Sequence, residues 1–226
     1  GQAAYMAIGA YVTFVATYLL KLPYYLTGLV ALIICGLVAL VIGIPTLRLR
    51  RDYFSLITVG LGQMIVAVIL LLEKYTNGSI GFSKIPKAPQ LLLVTIVATA
   101  VIIYCIRNLK YSRFGRMSIA LKNDEIASKS FGIDVYKVKL QIYILASIIA
   151  GFAGIIMAMR NRVTTPDSFG WSTSAEMQIF LFFGGTNSLT GAVLSTIVLR
   201  IIPEFVRNIK LFGTSLQEYR TILYCI

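Results

Sequence analysis

Few residues in this chain have types and spacing suited to chemistry, and those few suit recognition and mechanical coupling rather than bond making. The polar segment 107–139 carries eight Lys/Arg (Arg107, Lys110, Arg113, Arg116, Lys122, Lys129, Lys137 and Lys139) against three acids, Asp124, Glu125 and Asp134. Within it, Asn123 or Asp124 is placed to cap a short helix over 125–131, and Gly132 stands where a left-handed C-terminal stop is wanted. A short helix closed by glycine makes a rigid docking knob. The plainer alternative is a solvated loop whose charges only set topology. A second candidate is Gly184-Gly185-Thr186-Asn187-Ser188, which interrupts the apolar stretch 177–202. Groups that make or break bonds are missing. The sequence has no histidine, no G-x-x-x-x-G-K-[ST] phosphate loop, and no carboxylate pair or nucleophile–base arrangement that rises above chance. It is therefore expected not to be an enzyme, not to hydrolyse ATP itself, and to need no cofactor or metal. Cys35, Cys105 and Cys225 lie in apolar runs without C-x-x-C spacing and read as packing residues.

The elements that must position these residues are set by composition. Of 226 residues, 58% are hydrophobic and 13% charged, and the mean hydropathy is +0.82. A soluble domain carries about 25% charged residues, so the chain reads as an integral membrane protein. A helical span takes about 20 mainly apolar residues, which leaves room for roughly six to eight. Runs this long suit helices, because barrel strands alternate over about ten residues. The expected fold is an all-α, polytopic transmembrane helical bundle. The net charge of +12 is explained by topology and anionic lipid headgroups, and nucleic acid is not an expected partner.

Apolar runs cover 3–20, 24–44, 54–72, 91–106 and 140–159. Pro45 closes the second, and a basic turn with Arg48, Arg50 and Arg51 follows it. Placing 107–139 inside puts that turn inside as well by strict alternation, and leaves 73–90 and 160–176 outside. Those outer loops hold three and two basic residues, so the richest clusters share the inner face. The break at 184–188 would expose backbone polar groups to lipid unless protein or a water-filled cavity covers it. A re-entrant helix pair with both ends outside is the favoured reading, and a kinked single span the alternative. Tyr24, Tyr25, Tyr53, Tyr75, Tyr104 and Trp171 lie near run ends, as interfacial aromatics do. Gly1 enters an apolar run without an initiator Met, and Tyr219 opens a final run that stops at Ile226. The chain is therefore expected to be partial at both ends.

Gly151 and Gly154 read first as helix-packing residues. Gly184, Gly185 and Gly191 read equally as packing or as lining of a path. Glu176 and Gln178 open that segment and either face a cavity or sit at the interface. Gln63 and Glu73 raise the same alternatives on the third run.

The order Arg113-Phe114-Gly115-Arg116, then Asp124-Glu125, Ala127 and Gly132-Ile133 resembles the cytoplasmic coupling loop of permeases from branched-chain amino acid ABC importers. Further segments resemble the family in the same order: Gly1-Gln2-Ala3-Ala4-Tyr5-Met6-Ala7-Ile8-Gly9-Ala10-Tyr11, Leu47-Arg48-Leu49-Arg50-Arg51-Asp52-Tyr53, Gly151-Phe152-Ala153-Gly154, Pro166-Asp167-Ser168-Phe169-Gly170 and Gly184-Gly185. Together they cover nearly the whole chain. Departures are Arg51 in place of a usual glycine, Ala127-Ser128 in place of an alanine pair, Thr76-Asn77-Gly78 in place of Thr-Gly-Gly, and one extra residue between Glu125 and Gly132.

The resemblance implies a single permease domain over 1–226 with a coupling loop at 107–139, in a prokaryotic cell (inner) membrane. It implies ATP-binding cassette ATPase subunits, a second permease subunit and an extracytoplasmic substrate-binding protein as partners, besides membrane lipid. The coupling residues would be Arg113, Gly115, Arg116, Asp124, Glu125, Ala127, Gly132 and Ile133. Gly184, Gly185, Asn187 and Gln178 are candidates for the translocation path. The substrate class would be branched-chain or similar aliphatic amino acids, with urea or amides as alternatives. An ion-coupled carrier or channel acting alone would instead show intramembrane charges and internal repeats. A membrane enzyme is disfavoured by the missing catalytic groups.

Overall fold

The computed structural model describes residues 1–20, 24–49, 51–76, 78, 81, 91–161, 164–186 and 188–208. The described elements are helical: α1 (Gln2–Leu20), α2 (Tyr24–Thr46), α3 (Arg51–Leu71), α4 (Glu73–Thr76), α5 (Leu91–Tyr111), α6 (Arg113–Asn123), α7 (Glu125–Ser130), α8 (Val135–Asn161), a 3-10 turn (Pro166–Phe169), α9 (Trp171–Gly184) and α10 (Leu189–Asn208). The chain divides into two compact units, 1–174 and 175–226.

Four helical stretches, Leu26–Thr46, Tyr53–Leu71, Leu91–Tyr111 and Val135–Asn161, are long and apolar enough to cross a membrane, and the bent pair near the C-terminal end would make a fifth. At 1.5 Å per residue, a helix of about 20 residues matches a hydrocarbon core of about 30 Å. The outer faces of these helices are Leu, Ile and Val left exposed, and α5 has no buried residue along its length. In water such a surface would be a large aggregation-prone patch, whereas in lipid it is solvated.

The first unit is built around α1, which packs on α8, α2 and α3. Small residues make this possible. A Cβ on Gly9 would run into the backbone of Gly151, one on Gly154 into the backbone of Met6, and one on Gly151 into Cys35 Sγ. Without a hydrophobic drive between helices in lipid, such close approach supplies the dispersion contacts that hold them. Polar groups inside the bundle find partners. Tyr5 and Tyr143 share a hydroxyl–hydroxyl bond of 2.8 Å, Thr17 and Thr27 one of 2.9 Å, and the Thr13 hydroxyl donates to Gly9 O at 2.7 Å. The packing reading of Gly151 and Gly154 is what the structure shows.

The two ends of this unit are distinct. At one, Tyr136 at the start of α8 donates to Ile44 O at 3.1 Å, and the Arg48 guanidinium lies 5.8 Å from the Tyr136 ring centre. The Arg48 turn and the 112–133 segment therefore share an end. At the other, the Tyr11 hydroxyl donates to Thr164 O at 3.1 Å, and Gly81 lies against Thr164. Gly81 and residues 164–169 thus share the opposite end. This pairing is the one that strict alternation requires.

In the second unit, α9 and α10 meet at a bend of 120°. Gly184 lies against the Gly191 backbone. The Ser195 hydroxyl donates to Phe180 O at 2.7 Å, tying the two arms. Gly185 adopts a φ of +86°, open to glycine at little cost. Ser188 then starts α10 by accepting from Gly191 N at 3.0 Å. A bend this large describes either a broken span or a re-entrant pair.

Candidate coupling surface and helix break

The segment expected as a loop over 107–139 is largely helical. α5 runs on to Tyr111, and α8 already begins at Val135. Between them α6 and α7 form a compact elbow. Ser112 ends α5 and caps α6: its hydroxyl donates to Leu109 O at 2.6 Å and accepts from Gly115 N at 3.1 Å. Gly115 is buried, and a Cβ there would collide with the carbonyls of Leu109 and Lys110. Arg116 donates to Tyr111 O at 2.8 Å, satisfying a carbonyl at the end of α5. Arg113 is exposed in the first turn of α6. Leu121 of α6 is buried with Val135 and Val138 of α8, and Phe114 and Ile133 pack against them. The elbow therefore has a small apolar core of its own.

α7 is capped at both ends. The Asp124 carboxylate accepts from Ile126 N at 2.8 Å and Ala127 N at 3.0 Å. At its other end, Ile133 N donates to Ser128 O at 3.2 Å and Gly132 N to Lys129 O at 2.9 Å. That pair of bonds is a Schellman closure, and it needs the left-handed conformation that Gly132 adopts at φ +76°. Glu125 accepts from Lys139 Nζ of α8 at 2.7 Å and lies 3.9 Å from Lys129 Nζ. Ser128, standing where an alanine was expected, is buried, and its hydroxyl donates to Asp124 O at 2.7 Å. That departure faces the protein, whereas Ala127 faces outward.

Two residues of this surface were not anticipated. Ile126 is 80% exposed and Phe131 is 85% exposed. A sequence signal existed. Each is a large apolar residue inside a polar segment, and neither falls on the face that carries Leu121, Ile133 and Val135. Lys122 and Lys129 flank them and are exposed.

Asp134 opens α8, accepting from Lys137 N at 3.1 Å. Its hydrogen bonds with the Lys137 side chain and amide hold its carboxyl below the ordinary aspartate value.

Of the path candidates, Gly184 is at the bend against Gly191, Gly185 is exposed at the bend, and Gln178 is exposed on α9. Asn187 lies outside the described residues. Glu176 Oε2 is 3.4 Å from Arg200 Nη2. In the first unit, Gln63 borders a hollow of about 10 Å3 with Gly1, Ala4, Gly62 and Phe169, room for about one water and not for an amino acid. Among the described residues no cluster of three or more His, Cys, Asp or Glu could hold a metal.

The described residues make a multi-pass helical membrane protein with a capped, exposed elbow at one end of the first unit and, in the second, a bent helix pair. The whole chain, residues 1–226, matches one family, and the chain belongs to it: the branched-chain amino acid transport system / permease component. That family is one of transport permeases rather than enzymes. The high-affinity branched-chain amino acid transport system permease protein LivM of Escherichia coli is 29% identical over 92% of this chain and 57% of its own length. The probable LivM of Methanocaldococcus jannaschii is 20% identical over 80% of this chain and 58% of its own. The ribose import permease protein RbsC of Escherichia coli is 32% identical over 52% of this chain and 37% of its own. The chain thus spans a little over half the length of the LivM relatives. No solved structure matches it.

Proposed function

We propose that this chain is the membrane-spanning permease subunit of an ATP-driven importer for branched-chain or similar aliphatic amino acids. A separate ATP-binding cassette ATPase supplies the energy, and the 112–133 elbow receives it. A second permease subunit completes the path, and an extracytoplasmic binding protein delivers substrate to the outer loops. The observation that carries this reading is the build of α7. A helix of six residues with a carboxylate cap, a Schellman closure and two bare apolar side chains is stiff and exposed, as a contact that transmits force must be.

ATPase closure moves α7, and the elbow moves with it because Leu121, Ile133, Val135 and Val138 make it one packed body with the start of α8. α8 in turn is locked to α1 by the glycine crossing. Displacement at the inner face then reorients the bundle and switches access from outside to inside.

The test is co-purification and uptake with Gly132→Val. A β-branched residue at φ +76° is strained, so α7 loses its closure. The expected outcome is loss of ATP-driven leucine uptake, with ATPase association weakened at least tenfold. Unchanged uptake with the variant would remove the coupling role. A sugar permease is the second reading, favoured by the ribose import relatives over half of the chain. Ribose uptake without leucine uptake by the assembled transporter would select it.

A further inference from the structure

The inner end of α5 carries charges that the α7 contact does not use. α5 is long and apolar enough to span, and none of its residues is buried, so lipid has access to it. Its apolar run 91–106 covers about 24 Å at 1.5 Å per residue, short of a hydrocarbon core of about 30 Å. A short span draws its flanking residues into the headgroup layer. Here those residues are Arg107 on α5, then Arg113 and Arg116 in the opening turn of α6, all exposed. Tyr104 and Tyr111 are exposed and share a face of α5 with Arg107 by helical spacing, as interfacial aromatics do. No acid occurs from 91 to 123. Glu125 and Asp134 are taken by Lys129, Lys137 and Lys139. Among the described residues, none of the three arginines pairs with a carboxylate.

The corner that presents these arginines is fixed. The Ser112 hydroxyl ties the last turn of α5 to the first of α6. Gly115 lies against the Leu109 and Lys110 carbonyls, an approach that any Cβ would block. Arg116 Nη1 donates to Tyr111 O at 2.8 Å, which anchors the guanidinium beside α5 and uses one of its five donors. We propose that Arg107, Arg113 and Arg116 bind the phosphate of an anionic phospholipid in the inner leaflet, pinning the α5–α6 corner to the headgroup layer. Guanidinium forks match phosphate oxygens in pairs, which an ammonium does not. A lipid of net negative charge leaves its phosphate to them, whereas a zwitterionic lipid brings its own cation. The surface that adjoins the site is a lipid-facing helix, which favours a headgroup over an acidic protein. The bare apolar tip used for coupling lies beyond this corner, on α7 and its cap. The site is independent of which solute is carried.

The test uses the transporter that contains this chain, purified in detergent and followed by native mass spectrometry. Dioleoylphosphatidylglycerol and dioleoylphosphatidylcholine are the probes, added at equal concentration. Wild type is expected to bind phosphatidylglycerol at least tenfold more tightly. The triple variant Arg107→Lys, Arg113→Lys, Arg116→Lys keeps every positive charge, and with it the topology, but loses the forks. Its preference should fall at least threefold while its melting temperature stays within about 2 °C of wild type, as for other surface changes. An unchanged preference in this variant would overturn the site, because diffuse positive charge attracts anionic lipid equally well through lysine. No preference in wild type would overturn it too. Displacement of the bound phosphatidylglycerol by inorganic phosphate at matched ionic strength would make the site one for a free anion and overturn the lipid assignment. A variant that keeps its lipid preference but loses ATPase co-purification would hand the arginines to the ATPase instead, which also overturns it.

Discussion

At the scale of single residues, the coupling surface separates side chains that build α7 from side chains that face away from it. Asp124 builds. Its carboxylate takes two amides that the first turn would otherwise leave unpaired, and Asp124→Ala should cost α7 about 1 kcal/mol. Local hydrogen exchange at Ile126 and Ala127 would read that loss without global unfolding. Ile126 and Phe131 face away, exposed and unneeded by the elbow. Ile126→Asp with Phe131→Ala should therefore leave the melting temperature within about 2 °C of wild type, since surface changes fall within about 0.5 kcal/mol. ATPase co-purification should nevertheless fall at least tenfold. Equal binding by the double variant would show that the ATPase contact lies elsewhere. Glu125–Lys139 is half-exposed and worth under about 1 kcal/mol to stability, so its consequence is registry between α7 and α8. Asp134 adds a pH dependence of known sign. Its carboxyl is held low by Lys137, so the folded state favours its charged form. The cap is complete above the ordinary aspartate pKa and is lost as pH falls through the lowered value. A titration of the Asp134 carboxyl carbon by NMR should show its midpoint below that of an unstructured aspartate.

At the scale of elements, what was legible in the sequence depended on whether the signal was local. The α7 helix, its Asp124 cap and its Gly132 stop were readable, because capping is written in neighbouring residue types. The break at 184–188 was readable for the same reason. α6 was not anticipated. Its helix is set partly by Ser112 and partly by burial of Leu121 against Val135 and Val138, a tertiary contact with no local signature. The glycines of α1 and α8 were legible as packing residues, but their pairing was not, since Gly9 meets Gly151 from far along the chain. That pairing makes a sharp prediction. Gly154→Leu would push against the Met6 backbone, which cannot rotate away as a side chain would. Overpacking of this kind costs about 1–3 kcal/mol even where neighbours yield. The variant should lower thermal stability in detergent, and uptake should fall with it. Gly60, within α3 and with open space around it, serves as the control: Gly60→Ala should lower neither, since alanine is the better helix former.

At the scale of the whole molecule, charge and packing give one topology by independent routes. Charge counting puts the Arg48 turn and 107–139 on the inner face, using no structural contact. Packing joins the same two segments through Tyr136, whose hydroxyl reaches Ile44 O and whose ring lies under Arg48. It also joins 164–169 to the opposite end through Tyr11, with Phe169 buried there against the Tyr11 ring. Reversing the orientation would keep every packing contact but place the basic elbow outside, away from any ATPase and against the positive-inside bias. Single cysteines at Ile126 and Ser168, in a chain with Cys35, Cys105 and Cys225 replaced by serine or alanine, decide between the two. In intact cells a membrane-impermeant maleimide should label the cysteine at 168 and spare that at 126. In inverted vesicles the pattern should reverse. Labelling at 126 from outside would remove the ATPase contact, and with it the reason for a stiff, bare-tipped α7.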